Sequence, residues 1–128
     1  MAHRFQRHYT REEARGLLPS IREWLGELNE IRAWLRTRDE ELSNSLSQGN
    51  DLGGEKVNTW VRKLCQLQKV AREFESREIQ IKDIDRGLID FPAIIAGREV
   101  FLCWEQDEDD IEFWHDLESG YSGRERLK

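Results

Sequence analysis

Apolar residues recur seven apart through the first third of the chain, at Ala14, Ile21, Leu28, Leu35 and Leu42. Leu17, Trp24 and Ile31 follow the first three by three positions, and Leu18, Leu25 and Leu46 widen the stripe on one side. That spacing predicts one long amphipathic helix with a stripe of the width a core-facing bundle helix presents. Its start is marked at Tyr9-Thr10-Arg11-Glu12-Glu13. Thr10 can cap, and Glu13 stands three residues on, as a capping box requires. Glu12 and Glu13 suit the positive end of the helix dipole, and Tyr9 is placed to pack on Ala14 as a hydrophobic staple. Pro19 lies within the run, which predicts either a kink in the first two turns or a start nearer Leu18.

Between Ser43 and Gly54 the stripe gives way to Ser, Asn, Gln, Asp and Gly, a loop by composition. A second stripe follows at Val57, Leu64 and Ala71 with Trp60, Leu67 and Phe74. The two helices, ~35 and ~24 residues long, the first reaching roughly 50 Å at 1.5 Å per residue, fold back as an antiparallel hairpin. One hairpin cannot cover both stripes. Either the last third of the chain packs on them, or a second copy completes a four-helix bundle, so a homodimer is expected.

From Ile79 the period changes. Ile79-Gln80-Ile81 alternates, Lys82 to Gly87 reads as a turn, and Leu88 to Ile95 is an apolar run broken by Asp90 and Pro92. Ala96-Gly97 signals a tight turn. Arg98 to Trp104 and Ile111 to His115 read as strands on either side of the acidic loop Gln106 to Asp110. Ser119 to Lys128 shows no periodicity. The expected architecture is α+β: a long antiparallel helical hairpin (residues 9–78) followed by a small antiparallel β-sheet (residues 79–128), together one domain over residues 1–128.

Composition narrows the function classes. The 128 residues are 36% charged with a net charge of −6. Binding to duplex nucleic acid normally needs clustered Lys and Arg. Here Arg22, Arg32 and Arg36 of the first helix are diluted by Glu23, Glu27 and Glu30, which ranks that class last. No apolar stretch approaches the ~20 residues of a membrane span, and Met1 to Thr10 lacks the apolar core of a secretory signal. Two lone cysteines, Cys65 on a helix and Cys103 on a strand, then suggest reduced thiols and a cytoplasmic location.

Several strings are distinctive: Lys82-Asp83-Ile84-Asp85-Arg86-Gly87-Leu88-Ile89-Asp90-Phe91-Pro92, then Leu102-Cys103-Trp104, then Trp114-His115, with Thr10 to Pro19 (TREEARGLLP) at the start. With these the chain resembles an uncharacterised bacterial family, the domain of unknown function 2203. The likeness covers nearly the whole chain. It implies the fold and a cytoplasmic location, and supplies no reaction. Members commonly carry a Gly ahead of a Glu in the loop after Leu-Cys-Trp; Gln106-Asp107-Glu108 stands there in this chain.

Candidate chemistry follows from strand register. If Ala96-Gly97 is a two-residue hairpin loop, Ile95 pairs with Arg98 and Asp90 falls opposite Cys103. If the acidic loop closes a hairpin with Trp104 facing Glu112, Cys103 faces Phe113 and His115 is its diagonal neighbour. Asp90, Cys103, Glu105 and His115 then share one face, with Leu102, Trp104 and Trp114 on the other. Thiolate, imidazole and carboxylate together suit a divalent transition metal such as zinc, with Asp116 and Glu118 close in sequence. A one-residue slip would scatter the set. The plainer alternative is a buried small Cys103 and a hydrogen-bonded His115. The turn with Asp83, Asp85 and Asp90 around Gly87 lacks the ligand order of an EF-hand. It reads as Asp side chains accepting backbone N–H bonds, with Arg86 paired to one of them. The run Glu105 to Asp110 with Glu112 is either a solvated loop or a lure for a basic partner or Mg²⁺. His3 and His8 receive no role. Catalytic residues stay unassigned: there is no nucleotide-binding glycine loop and no Ser-His-Asp order. The leading expectation is a non-enzymatic binding protein that dimerises through its hairpin; the alternative is a metal-binding protein or metal-dependent enzyme using Asp90, Cys103, Glu105 and His115.

Overall fold

The computed structural model describes residues 2–47, 49 and 54–128. Two helices come first, α1 (Arg11–Ser47) and α2 (Gly54–Glu75). Five strands follow: β1 (Gln80–Asp83), β2 (Leu88–Ile95), β3 (Arg98–Glu105), β4 (Phe113–Asp116) and β5 (Glu125–Arg126), with a 3₁₀ turn at Tyr121–Gly123. The strands form one antiparallel meander in sequence order. The protein is α+β, a helical hairpin on a small sheet, as the change of period at Ile79 predicts.

The capping box forms reciprocally: the Glu13 N–H donates to Thr10 Oγ1 at 3.1 Å, and the Thr10 N–H donates to Glu13 Oε1 at 3.0 Å. Tyr9 is buried in the core beside Ala14. Pro19 lies inside α1, so a start near Leu18 is corrected. The capping box and the burial of Ala14 and Leu18 hold the turns that Pro19 weakens. The predicted loop is shorter than its composition suggested, because α1 runs to Ser47 and α2 begins at Gly54. Its centre, and the side chain of Leu46, lie outside the described residues.

The core sits between the proximal half of the hairpin and one sheet face. Ala14, Leu18, Ile21, Leu25 and Leu28 of α1, with Val70 and Phe74 of α2, pack against alternate residues of β2 and β3. Those residues are Ile89, Phe91 and Ala93, then Val100, Leu102 and Trp104. The pleat turns every second side chain to this face, and the residues between them are buried as well, on the opposite face. Trp24 meets Phe74 edge-on, with ring centroids 5.4 Å apart.

Register is set by the β2–β3 turn. Ala96 (φ 52) and Gly97 (φ 76) both have positive φ, the signature of a type I′ hairpin turn whose twist matches its strands. Ile95 therefore pairs with Arg98, and Asp90 with Cys103. Pro92 does not break the ladder. Its carbonyl accepts the Tyr9 N–H at 2.7 Å, on the side of β2 beyond the end of β1. Within a strand N–H and C=O of one residue point the same way, so the N–H that proline lacks would also have faced away from β3. Cys103 pairs with Phe113 and Phe101 with His115. The last expected strand begins at Phe113 rather than Ile111. β5 has no counterpart in the sequence reading. It pairs with β4, and the Leu127 N–H donates to the Glu112 carbonyl at 2.8 Å.

Candidate functional site

The sheet face turned away from the helices carries the polar residues. β2 contributes Asp90, β3 Phe101, Cys103 and Glu105, and β4 Phe113 and His115. Asp90, Cys103 and His115 are all buried, none more than 2% exposed. Each offers one potential ligand atom, and these atoms lie within 4.8 Å of one another.

Two segments far apart in sequence cover this face. Phe5, ahead of α1, packs on Phe101 with centroids 5.4 Å apart, and Phe101 packs on His115 at 5.6 Å. At the other end of the chain, the Arg124 guanidinium lies 3.7 Å from the Phe113 ring centre and also pairs with Glu108. Arg86 stacks on Tyr121 at 4.3 Å. Sequence reasoning missed both covers. Neither segment has a hydrophobic period, and their contacts come from single aromatic and guanidinium groups.

The geometry fixes the protons of His115. Its Nδ1 is 2.6 Å from the Asp116 carbonyl oxygen, and its Nε2 is 2.9 Å from Asp90 Oδ2. A carbonyl only accepts, so Nδ1 carries a hydrogen. A second proton then lies between Nε2 and the carboxylate, because two bare acceptors would repel at that distance. Burial pulls the imidazole pKa down, but the bonds to Asp90 and Asp116 and the Asp90 charge outweigh it and leave the pKa raised. Asp90 Oδ1 is buried and accepts from no N–H or O–H group among the described residues, with the weakly donating Cys103 thiol as its neighbour. An oxygen so weakly met is costly in a dry site. Burial, and then the neighbouring Asp90 charge, push the Cys103 thiol up to about 12.

This arrangement does not suit thiol nucleophilic catalysis. That chemistry needs a thiolate beside an imidazolium or a free imidazole nitrogen. Both His115 nitrogens are engaged, one by a carbonyl and one by Asp90. A divalent cation is different: it favours thiolate, carboxylate and neutral imidazole together.

Glu105 shares the face but turns away from the trio. Its carboxylate accepts from Arg86 Nε at 2.8 Å. Arg86 was expected to pair with an Asp of its own turn, and this is corrected: the turn places it over β3. The rest of the turn forms as expected, with Asp83 Oδ1 accepting the N–H groups of Asp85 and Arg86. Asp116 and Glu118 pair with Arg98 and Arg4. Within the acidic run, Asp110 bonds Arg15 at 2.7 Å and Glu108 bonds Arg124, so part of its charge is met by the chain's own arginines. Cys65 is exposed on α2 and unpaired.

A second cluster was assigned nothing from sequence. His3, His8 and Glu99 also place potential ligand atoms within 4.8 Å of one another. Glu99 accepts the N–H groups of Arg4 and Phe5 at 2.7 and 3.0 Å, and His8 Nε2 lies 2.7 Å from its Oε2.

The fold and its buried trio define a helical hairpin carried on a five-stranded meander, with Asp90, Cys103 and His115 inside the outer sheet face. Residues 7–127 match the family described as "Uncharacterized conserved protein (DUF2203)", and the chain belongs to it. Comparison with curated proteins and with solved structures finds no match. Among the described residues, no helix is long and apolar enough to cross a membrane.

Proposed function

We propose that this protein binds a divalent transition metal ion of the zinc class between Asp90, Cys103 and His115. The observation that carries the reading is Asp90 Oδ1, a buried carboxylate oxygen without an N–H or O–H donor among the described residues, beside a thiol and an imidazole. Ligands on zinc at ~2.0–2.3 Å stand roughly 3.5 Å apart. The trio, now within 4.8 Å, would contract by roughly 1 Å, a matter of side-chain rotation. Glu105 is committed to Arg86 and serves as a neighbour rather than a ligand. Because the site is closed, the ion loads during folding and contributes to it.

Elemental analysis of protein purified without added metal tests the reading. The expected result is about one ion per chain, lost in both Cys103→Ala and His115→Ala. Wild type without stoichiometric metal, and without zinc uptake on refolding, would overturn it. Coordination by thiolate and neutral imidazole would also release about two protons per ion near neutral pH, one from the thiol and one from the Asp90–His115 pair.

A second observation favours assembly. Val57, Val61 and Leu64 are 44%, 50% and 39% exposed. They fall at i, i+4 and i+7, one face of α2. They lie beyond the part of the hairpin that packs on the sheet, on the stretch of α2 where Trp60 meets Trp34 of α1 with rings 6.5 Å apart. A second copy of this chain, laid antiparallel, would cover that face and make a four-helix bundle. Sedimentation should give a dimer at micromolar concentration, and Val61→Glu with Leu64→Glu a folded monomer. A monomeric wild type removes this reading and leaves the metal site untouched.

A further inference from the structure

From the second cluster we infer a separate metal site, one that takes a divalent first-row ion on His3, His8 and Glu99 at the far end of β3. Two imidazoles and one carboxylate are a recurring ligand set for such ions and leave coordination positions open. Three features of this chain support it. Glu99 is held from behind by the Arg4 and Phe5 N–H groups, so its carboxylate is positioned before any ion arrives. The His8 and Glu99 side chains are only 20% and 9% exposed, whereas His3 stands at the surface. The donor set is thus shielded on one side and open on the other. The imidazoles already meet edge-to-face with centroids 5.1 Å apart. Among the described residues, His3 makes no hydrogen bond with the protein.

The plainer account is that His8 and Glu99 simply fasten the N-terminal segment to the sheet. His3 separates the two accounts, because a fastening pair does not need it. An ion bound by His3 and His8 to Glu99 would close a chelate across residues 3–8 and β3. Unlike the trio under Phe101, this site would exchange its ion with solvent.

Zinc titrated calorimetrically into the full chain should show a site retained in Cys103→Ala. His3→Ala and His8→Ala should each weaken it by more than about tenfold, since losing even a supporting partner of a ligand costs about 10–100-fold. Circular dichroism should be unchanged in His3→Ala. Tryptic cleavage after Arg4 and Arg7 should slow with zinc in wild type and not in His3→Ala. Wild-type affinity in His3→Ala would overturn the site. So would a loss confined to His3→Ala with His8→Ala unaffected, which would place the ion off Glu99. Failure of the buried site shows instead as metal content insensitive to Cys103→Ala and His115→Ala.

Discussion

Asp90 and His115 hold one proton between Oδ2 and Nε2, 2.9 Å apart, with both side chains no more than 2% exposed. The pair joins β2 to β4 across β3, so it ties strands that are not neighbours in the sheet. Removing one partner leaves the other buried and unpaired. Asp90→Ala should therefore cost about 3–5 kcal/mol. Asp90→Asn keeps a donor facing a neutral Nε2 and should cost only about 1–2 kcal/mol. Urea unfolding of the metal-free chain measures both, and equal losses would mean that the carboxylate is not part of the bond.

Stability should depend on pH at two ends of the range. The folded pKa of His115 is raised above the ordinary 6.5. Its contribution is thus fully present below about 6.5 and fades as pH rises through the folded value. Glu99 shows the opposite sign. Burial would raise its pKa, but bonds from His8, Phe5 and Arg4 bring it down from 4.5 to about 2. Its contribution is present above 4.5 and is lost as pH falls toward about 2. Urea midpoints followed from pH 3 to 9 should fall at both ends. In Glu99→Gln the acid-side loss should shrink, and in Asp90→Asn the alkaline-side loss should shrink.

How the trio assembles shows which parts of the fold local chemistry dictates. Ala96-Gly97 is a two-residue turn that fixes Ile95 opposite Arg98, and the pleat then carries Asp90 to Cys103 without further information. The Leu102–Trp104 alternation decides which face is core. The hairpin was legible for the same reason, since a seven-residue stripe has one low-energy use. Glu105 falls on the trio's face as the alternation predicts, but its pairing depends on Arg86, nineteen positions earlier, an ion pair that no period announces. The His3–His8–Glu99 cluster was invisible because it joins residues more than ninety positions apart through an irregular segment. β5, two residues long, is too short to show alternation.

Glu99 anchors the N-terminal segment that covers the buried trio. Arg4 and Phe5 donate backbone N–H groups to it, and Phe5 lies on Phe101. Glu99→Ala removes three hydrogen bonds at once and should loosen residues 3–8, whose remaining backbone ties are the Gln6 and Arg7 N–H bonds to Glu78, while leaving the hairpin intact. Trypsin should then cut after Arg4 and Arg7 several-fold faster, with the helical circular dichroism signal unchanged. Unaltered cleavage would show that Phe5 packing and the Gln6 and Arg7 N–H bonds to Glu78 hold the segment without Glu99.

Ala96 is a stored cost in the β2–β3 turn. It sits at φ 52, where a Cβ approaches the following carbonyl, at about 1–2 kcal/mol for an ordinary residue. Asn tolerates that conformation far better, and Asn-Gly is the preferred type I′ pair. Ala96→Asn should therefore stabilise the protein by about 0.5–1 kcal/mol, or a rise in Tm of about 2–5 °C for a chain of this size. Ala96 is exposed at the hairpin tip, so the change touches neither the core nor the trio. Ala96→Val, β-branched at the same φ, should lower the Tm by a similar amount or more. Differential scanning calorimetry of the three proteins decides it: if Asn and Val shift the Tm in the same direction, the strain at this position is not the cause.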